Sequence, residues 1–87
     1  MKKEHYEKLQ EMLDDLCDAL SEGFALFLIG KGKEVNENGE KYDRMKKDIE
    51  RYVEEENIDF NEYKEMYDVA VYKWANVDGV NIQRRFR

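Results

Sequence analysis

Proline and threonine are absent from this 87-residue sequence, and serine, histidine and cysteine occur once each, as Ser21, His5 and Cys17. Each shortage excludes something. Without proline the strongest helix breaker is gone, which agrees with long uninterrupted helices. A single cysteine cannot build an internal disulfide framework and suits a reducing compartment, so the cytoplasm is the expected location. No apolar run approaches the 18 or so residues of a membrane span, and no apolar stretch follows the basic residues at the start as a secretory signal would require. The shortage of hydroxyls and imidazoles also starves nucleophilic catalysis, which needs a Ser, Cys or Thr within reach of a base.

Charge is what the sequence has in excess. Charged residues make up 41% of the chain and apolar residues another 41%, against a usual charged share of about a quarter. Much of the surface must therefore be solvated charge, and a chain of this length is expected to form one domain, residues 1–87, that hides only about 60 to 65% of its unfolded surface. Association with a second copy would be an easy way to gain core. The formal charge is -6, with three Lys against seven acids in residues 1–30, seven bases against nine acids in 31–57, and two bases against five acids in 58–79. Only residues 80–87, with Arg84, Arg85 and Arg87 and no acid, are basic. Such a field repels nucleic-acid phosphates unless a basic patch is segregated, so direct nucleic-acid binding is not the expected activity.

The periodicity predicts three helices. Tyr6, Leu9, Leu13, Leu16, Cys17 and Leu20 recur at steps of three and four, which sets one apolar stripe on a helix over residues 3–22. Gly23 then interrupts, and residues 24–29 (Phe24, Ala25, Leu26, Phe27, Leu28, Ile29) form a dense apolar run expected to be buried all round, as a helical continuation or a short strand. Residues 30–39, rich in Gly, Asn and Lys, read as the main loop. A second helix follows from Gly39 or Glu40 to Glu55, with Tyr42, Met45, Ile49, Tyr52 and Val53 inward and acid-first pairs such as Glu40 with Arg44 outward. Asp59 as a cap, Glu62 three residues on, and Ile58 able to pack on Tyr63 start a third helix over 60–76. The expected fold is all-α, a compact three-helix domain with 24–29 buried after the first helix. The alternative is α+β, with 24–29 and 80–86 as short strands, or 80–87 as an extended basic tail.

Candidate chemistry fails residue by residue. Cys17 lies on the apolar stripe, where a packed and inert thiol is expected. His5 without a second His or a Cys is a poor metal ligand, and no cofactor or metal is expected. The Gly30-Lys31-Gly32-Lys33 stretch lacks both the leading glycine and the trailing hydroxyl of a phosphate-binding loop. Glu34, Asn36, Asn38 and Gly39 match the start of a calcium loop, but its twelfth position is Met45 where a bidentate Glu is needed. The paired acids along each helix lie on outer faces and not in a pocket, so they do not read as a general acid and base. No enzyme is expected.

One feature is left. Glu4, Glu7, Glu11, Asp14, Asp15, Asp18 and Glu22 fall in an arc of roughly 100° on the first helix, opposite the apolar stripe. Like charges four apart (Glu7 with Glu11, Glu11 with Asp15, Asp14 with Asp18, Asp18 with Glu22) each repel by a few tenths of a kcal/mol. At ~1.5 Å of rise per residue the carboxylates average one per ~4.5 Å, comparable with the ~3.4 Å phosphate spacing along one DNA strand. These observations lead to the expectation of a small acidic interaction protein, an inhibitor or adaptor that offers this helix to a basic partner, with nucleic-acid mimicry as its sharpest form and a plain solvated face as its bland one. A second expectation is a structural homo-oligomer, such as a homodimer, with Phe24, Phe27, Leu28, Val69 and Tyr72 at the interface. A third is nucleic-acid contact through Arg84, Arg85 and Arg87, with Phe86 and Trp74 as stacking rings.

Overall fold

Four helices account for almost all of the backbone: α1 (Lys3–Leu28), α2 (Gly32–Glu55), α3 (Phe60–Asn76) and α4 (Asp78–Arg85). The computed structural model describes residues 1–85, and among these there is no strand. The all-α expectation of three long helices holds, with α4 as a short addition. The chain is elongated, 42 × 24 × 17 Å, because α1 alone, at 26 residues, is about 39 Å long.

The apolar stripe of α1 does the organising. Leu9, Leu13 and Leu16 are fully withdrawn from solvent and meet Ile49 and Val53 of α2 and Tyr63 of α3. Met12, Tyr42, Met45, Tyr52, Ile58, Met66, Tyr67 and Ala70 pack around this centre. α1 contacts each of the other three helices, whereas α2 and α3 touch each other only lightly.

Both turns between the long helices are closed by a residue with positive φ. Gly30 stands at φ 77°, and its N–H donates to the Phe27 carbonyl (3.1 Å) while that of Lys31 donates to Leu26 (3.0 Å). A left-handed residue at this place lets the chain turn back and satisfy the last carbonyls of α1, and glycine bears no steric penalty there. Asn57 at φ 52° does the same for α2: its N–H reaches Glu54 (3.2 Å) and that of Ile58 reaches Val53 (2.9 Å). Ile58 then packs on the core. The predicted start of α3 is present, since Asp59 Oδ1 accepts from the Asn61 N–H at 2.8 Å. Glu62, expected to reach back to the cap, instead lies 3.5 Å from the terminal ammonium of Met1.

Three expectations are corrected. Helix α1 runs through Gly23 to Leu28 with Ile29 as its C-cap, the helical continuation that is one of the two expected forms, but the run is not buried all round, since Phe27 is 66% and Ile29 50% exposed. The main loop shrinks to the turn around Gly30, and α2 begins at Gly32, because Val35 and Asn38 continue the inward face of Tyr42 and Met45 backwards along the helix and the extended α1 supplies a surface for them. Asn38 occupies a core position, 8% exposed. Lastly, residues 78–85 are neither strand nor extended arm but helix α4, which packs on α1 and α3.

Candidate functional site

All seven carboxylates of the α1 arc are exposed, as their positions opposite Leu9, Leu13 and Leu16 require. Two of them meet a lysine: Glu7 with Lys3 at 3.9 Å and Glu22 with Lys41 of α2 at 3.4 Å. Asp14 accepts from the Gln10 side-chain amide at 3.1 Å. Among the described residues, Glu4, Glu11, Asp14, Asp15 and Asp18 have no cation within 4 Å. The row is therefore a continuous negative strip over the first four turns or so of α1, and its far end is altered by the tertiary fold. There, Asp18 and Glu22 share a cleft of about 460 Å³ with Asp78, Asn81, Ile82 and Arg85 of α4.

The two described arginines of the basic tail thus sit in the last turn of α4, and Arg85 faces the acidic helix of its own chain. Arg87 and Phe86 lie outside the described residues. Trp74, the ring expected to join the arginines in stacking on bases, is turned inward: its Nε1 donates to Ser21 Oγ at 2.7 Å, Phe24 meets it edge-on at 6.0 Å, and buried Gly79 lies against its ring.

The residues of the expected oligomer interface lie on two helices, α1 and α3. Phe24 lines a groove of about 820 Å³ with Leu20, Val35, Tyr42 and Trp74. Val69, 66% exposed, borders a different groove between α1 and α3. Tyr72 is 72% exposed on the outer side of α3, and Leu28 is half-buried near the end of α1.

The interior polar chemistry is structural. The Cys17 thiol points to the Ala70 carbonyl of α3 at 3.8 Å, and burial, with Asp14, Asp78 and Asp18 nearby, pushes its pKa up. A thiol held protonated is a poor nucleophile. His5 stands 3.5 Å from Glu56, an ion pair only when the imidazole carries its second proton, and its ring is edge-on to Tyr52. Among the described residues, no group of three or more His, Cys, Asp or Glu is placed to hold a metal, and no helix is long and apolar enough to cross a membrane.

A tyrosine cluster joins α2 to α3. The Tyr42 and Tyr67 hydroxyls share a hydrogen bond of 2.7 Å, the Lys46 ammonium lies over the Tyr67 ring at 5.1 Å, and the buried Tyr63 hydroxyl has no partner among the described residues. Burial foremost, then Glu50 and Tyr67, pushes Tyr63 up to about 12; burial and the Tyr67 hydrogen bond raise Tyr42 as well. A buried hydroxyl without a partner is a cost, so Tyr63→Phe is expected to leave stability unchanged or raise it by up to ~1 kcal/mol, whereas Tyr42→Phe removes a made bond and lowers it by about 1 kcal/mol. Both phenols release their protons later in the folded chain than in the unfolded one. Their contribution is intact below pH ~10 and is lost as pH rises through about 12 for Tyr63. Urea midpoints measured from pH 9 to 12 should fall in the wild type and fall less in Tyr63→Phe; parallel curves would refute the assignment.

No protein-family model, curated protein or solved structure matches the chain. What the geometry defines is a class: an all-α domain organised on one long helix that is apolar on one side and carboxylate-lined on the other.

Proposed function

We propose that the protein is a small acidic interaction protein, an inhibitor or adaptor that acts by binding and not by catalysis, and that it offers the outer face of α1 to a basic surface of a nucleic-acid-binding protein. The observation that carries this reading is the row of exposed carboxylates in which Glu4, Glu11, Asp14, Asp15 and Asp18 have no cation within 4 Å among the described residues. Helix α2, by contrast, mixes signs on its surface and pairs Asp48 with Arg51 at 3.7 Å. A helix selected only for stability gains by such mixing, because like charges four apart repel. A partner that normally holds phosphates would find carboxylates at a comparable spacing, as a mimic of nucleic acid requires. The single half-buried thiol suits a reducing compartment, and we place the protein in the cytoplasm.

Reversal of four charges, Glu11→Lys, Asp14→Lys, Asp15→Lys and Asp18→Lys, tests it. The variant is expected to keep its helical circular dichroism and to lose the proteins that the wild type captures from the source cell at low salt, identified by mass spectrometry. A folded variant that retains the same partner sinks the proposal.

A second reading is a homo-oligomer, favoured by the exposure of Phe27, Val69 and Tyr72. Sedimentation equilibrium separates the two, since the oligomer sediments above the 10.5 kDa of one chain and is indifferent to the four reversals. Arg84 and Arg85 as a nucleic-acid contact rank third.

A further inference from the structure

The groove between α1 and α3 lies beside the acidic row and is not filled by any of the described residues. Its volume is about 540 Å³. Tyr6 of α1, 51% exposed, and Val69 of α3, 66% exposed, stand on its two sides, with half-buried Met66 and Ala70 between them. Two exposed apolar side chains on facing helices leave a strip that water wets at a cost, and a strip of this shape is what a third apolar face would cover.

Its own lining is balanced, with Glu62 and Glu65 against Lys73 and the terminal ammonium, and the surplus of negative charge is the acidic row of α1 beside it. Glu62 and Glu65 line the α3 side. On the α1 side Tyr6 is joined by Gln10, whose amide is bonded to Asp14 of the acidic row. The terminal ammonium is engaged with Glu62 at 3.5 Å, while Lys73 lies at a different turn of α3 from the two glutamates.

We propose that this groove receives the apolar face of a basic amphipathic helix belonging to the partner protein, with Lys and Arg of that helix reaching the α1 row on one side and Glu65 on the other. The inference rests on the acidic-row reading and says which part of the partner docks, and in what form. A helix is the fitting occupant because α1 and α3 have spent their backbone hydrogen bonds internally, so an extended peptide would find no ladder to join, whereas a helix brings its own. The groove follows α3 from Glu62 to Lys73, a track of about 17 Å, enough for apolar anchors at i, i+3 or i+4, and i+7. A second copy of this chain is a poorer fit: each copy carries a net charge of -6, and its most basic helix, α4, is already packed on α1 and α3.

The test uses two labelled Lys/Leu peptides of about 18 residues, identical in composition and charge. In one the leucines follow a helical stripe; in the other they are permuted to break it. Fluorescence anisotropy at low ionic strength is expected to show the striped peptide binding the full chain about tenfold tighter, a difference of ~1.4 kcal/mol. Val69→Glu should erase that advantage although it adds a negative charge, which by attraction alone would strengthen binding of any basic peptide. The fourfold charge reversal should weaken both peptides alike. Equal affinity for the two peptides, or a Val69→Glu variant that keeps the preference, overturns the groove while leaving the charge reading intact. Absence of binding by either peptide overturns both. A wild type that sediments as a dimer, and a Val69→Glu variant that does not, would assign the groove to a second copy and likewise overturn the proposal.

Discussion

Leu16→Ala is expected to cost about 3 to 4 kcal/mol, the usual range for deleting a buried leucine whose surroundings cannot collapse into the space. Leu16 is 0% exposed and sits in α1, the helix that contacts all of the others. At the next residue the Cys17 thiol lies 3.8 Å from the Ala70 carbonyl of α3, so at this level α1 is hemmed in by its neighbours and the void has little room to close. A domain of this size has of the order of 4 to 13 kcal/mol of stability in total, so the loss is a large share of the whole. Urea unfolding followed by circular dichroism should show a markedly lower midpoint with an unchanged slope. Leu20→Ala, at a half-buried position of the same stripe, should cost less. A change below ~1 kcal/mol at Leu16 would mean that the centre of the core lies elsewhere.

Two glycines inside helices should respond to alanine with opposite signs. Gly39 has nothing within 4 Å of where a Cβ would stand, and it is exposed in the body of α2, so Gly39→Ala should stabilise by about 0.5 to 1 kcal/mol through the lower entropy of the unfolded chain. Gly23 gains the same in propensity, but its Cβ would run into the side-chain oxygen of Asn38. Asn38 is 8% exposed and its amide nitrogen has no partner, so it cannot simply swing out to water. Overpacking of this kind costs about 1 to 3 kcal/mol, and Gly23→Ala is expected to be destabilising on balance. Asn38→Ala removes both the obstacle and the unpartnered amide, so Gly23→Ala should become favourable in that background. Additive effects in the double variant would show that the two residues do not compete for space.

The same contact explains why the middle of the fold was hard to read. Gly23 looks like a helix end and Asn36-Glu37-Asn38-Gly39 like a loop, because glycine and asparagine favour turns. Their small or compact side chains are instead what lets α1 and α2 approach closely where Asn38 enters the core. That is a relation between residues 15 positions apart, and no local propensity contains it. The starts and stops that rest on neighbouring residues were legible: the Asp59 cap, the end of α3 at Asn76, and the inward faces of α1 and α2. The candidate site divides the same way. The acidic arc follows from a 100° step per residue, but the packing of α4 against its far end, where Arg85 lines one cleft with Asp18 and Glu22, depends on how the chain returns. So does the groove of Tyr6 and Val69, whose two sides come from helices distant in sequence.

By itself, then, the order of residues determined the helices, which side of each is apolar, and the negative face of α1, because these depend only on spacing along the backbone. The tertiary structure alone decided how far α1 and α2 extend, that the basic tail folds back as a helix, and which part of the acidic row stays clear of cations. Those outcomes are contests between local preference and burial, and burial is settled only when separate helices meet.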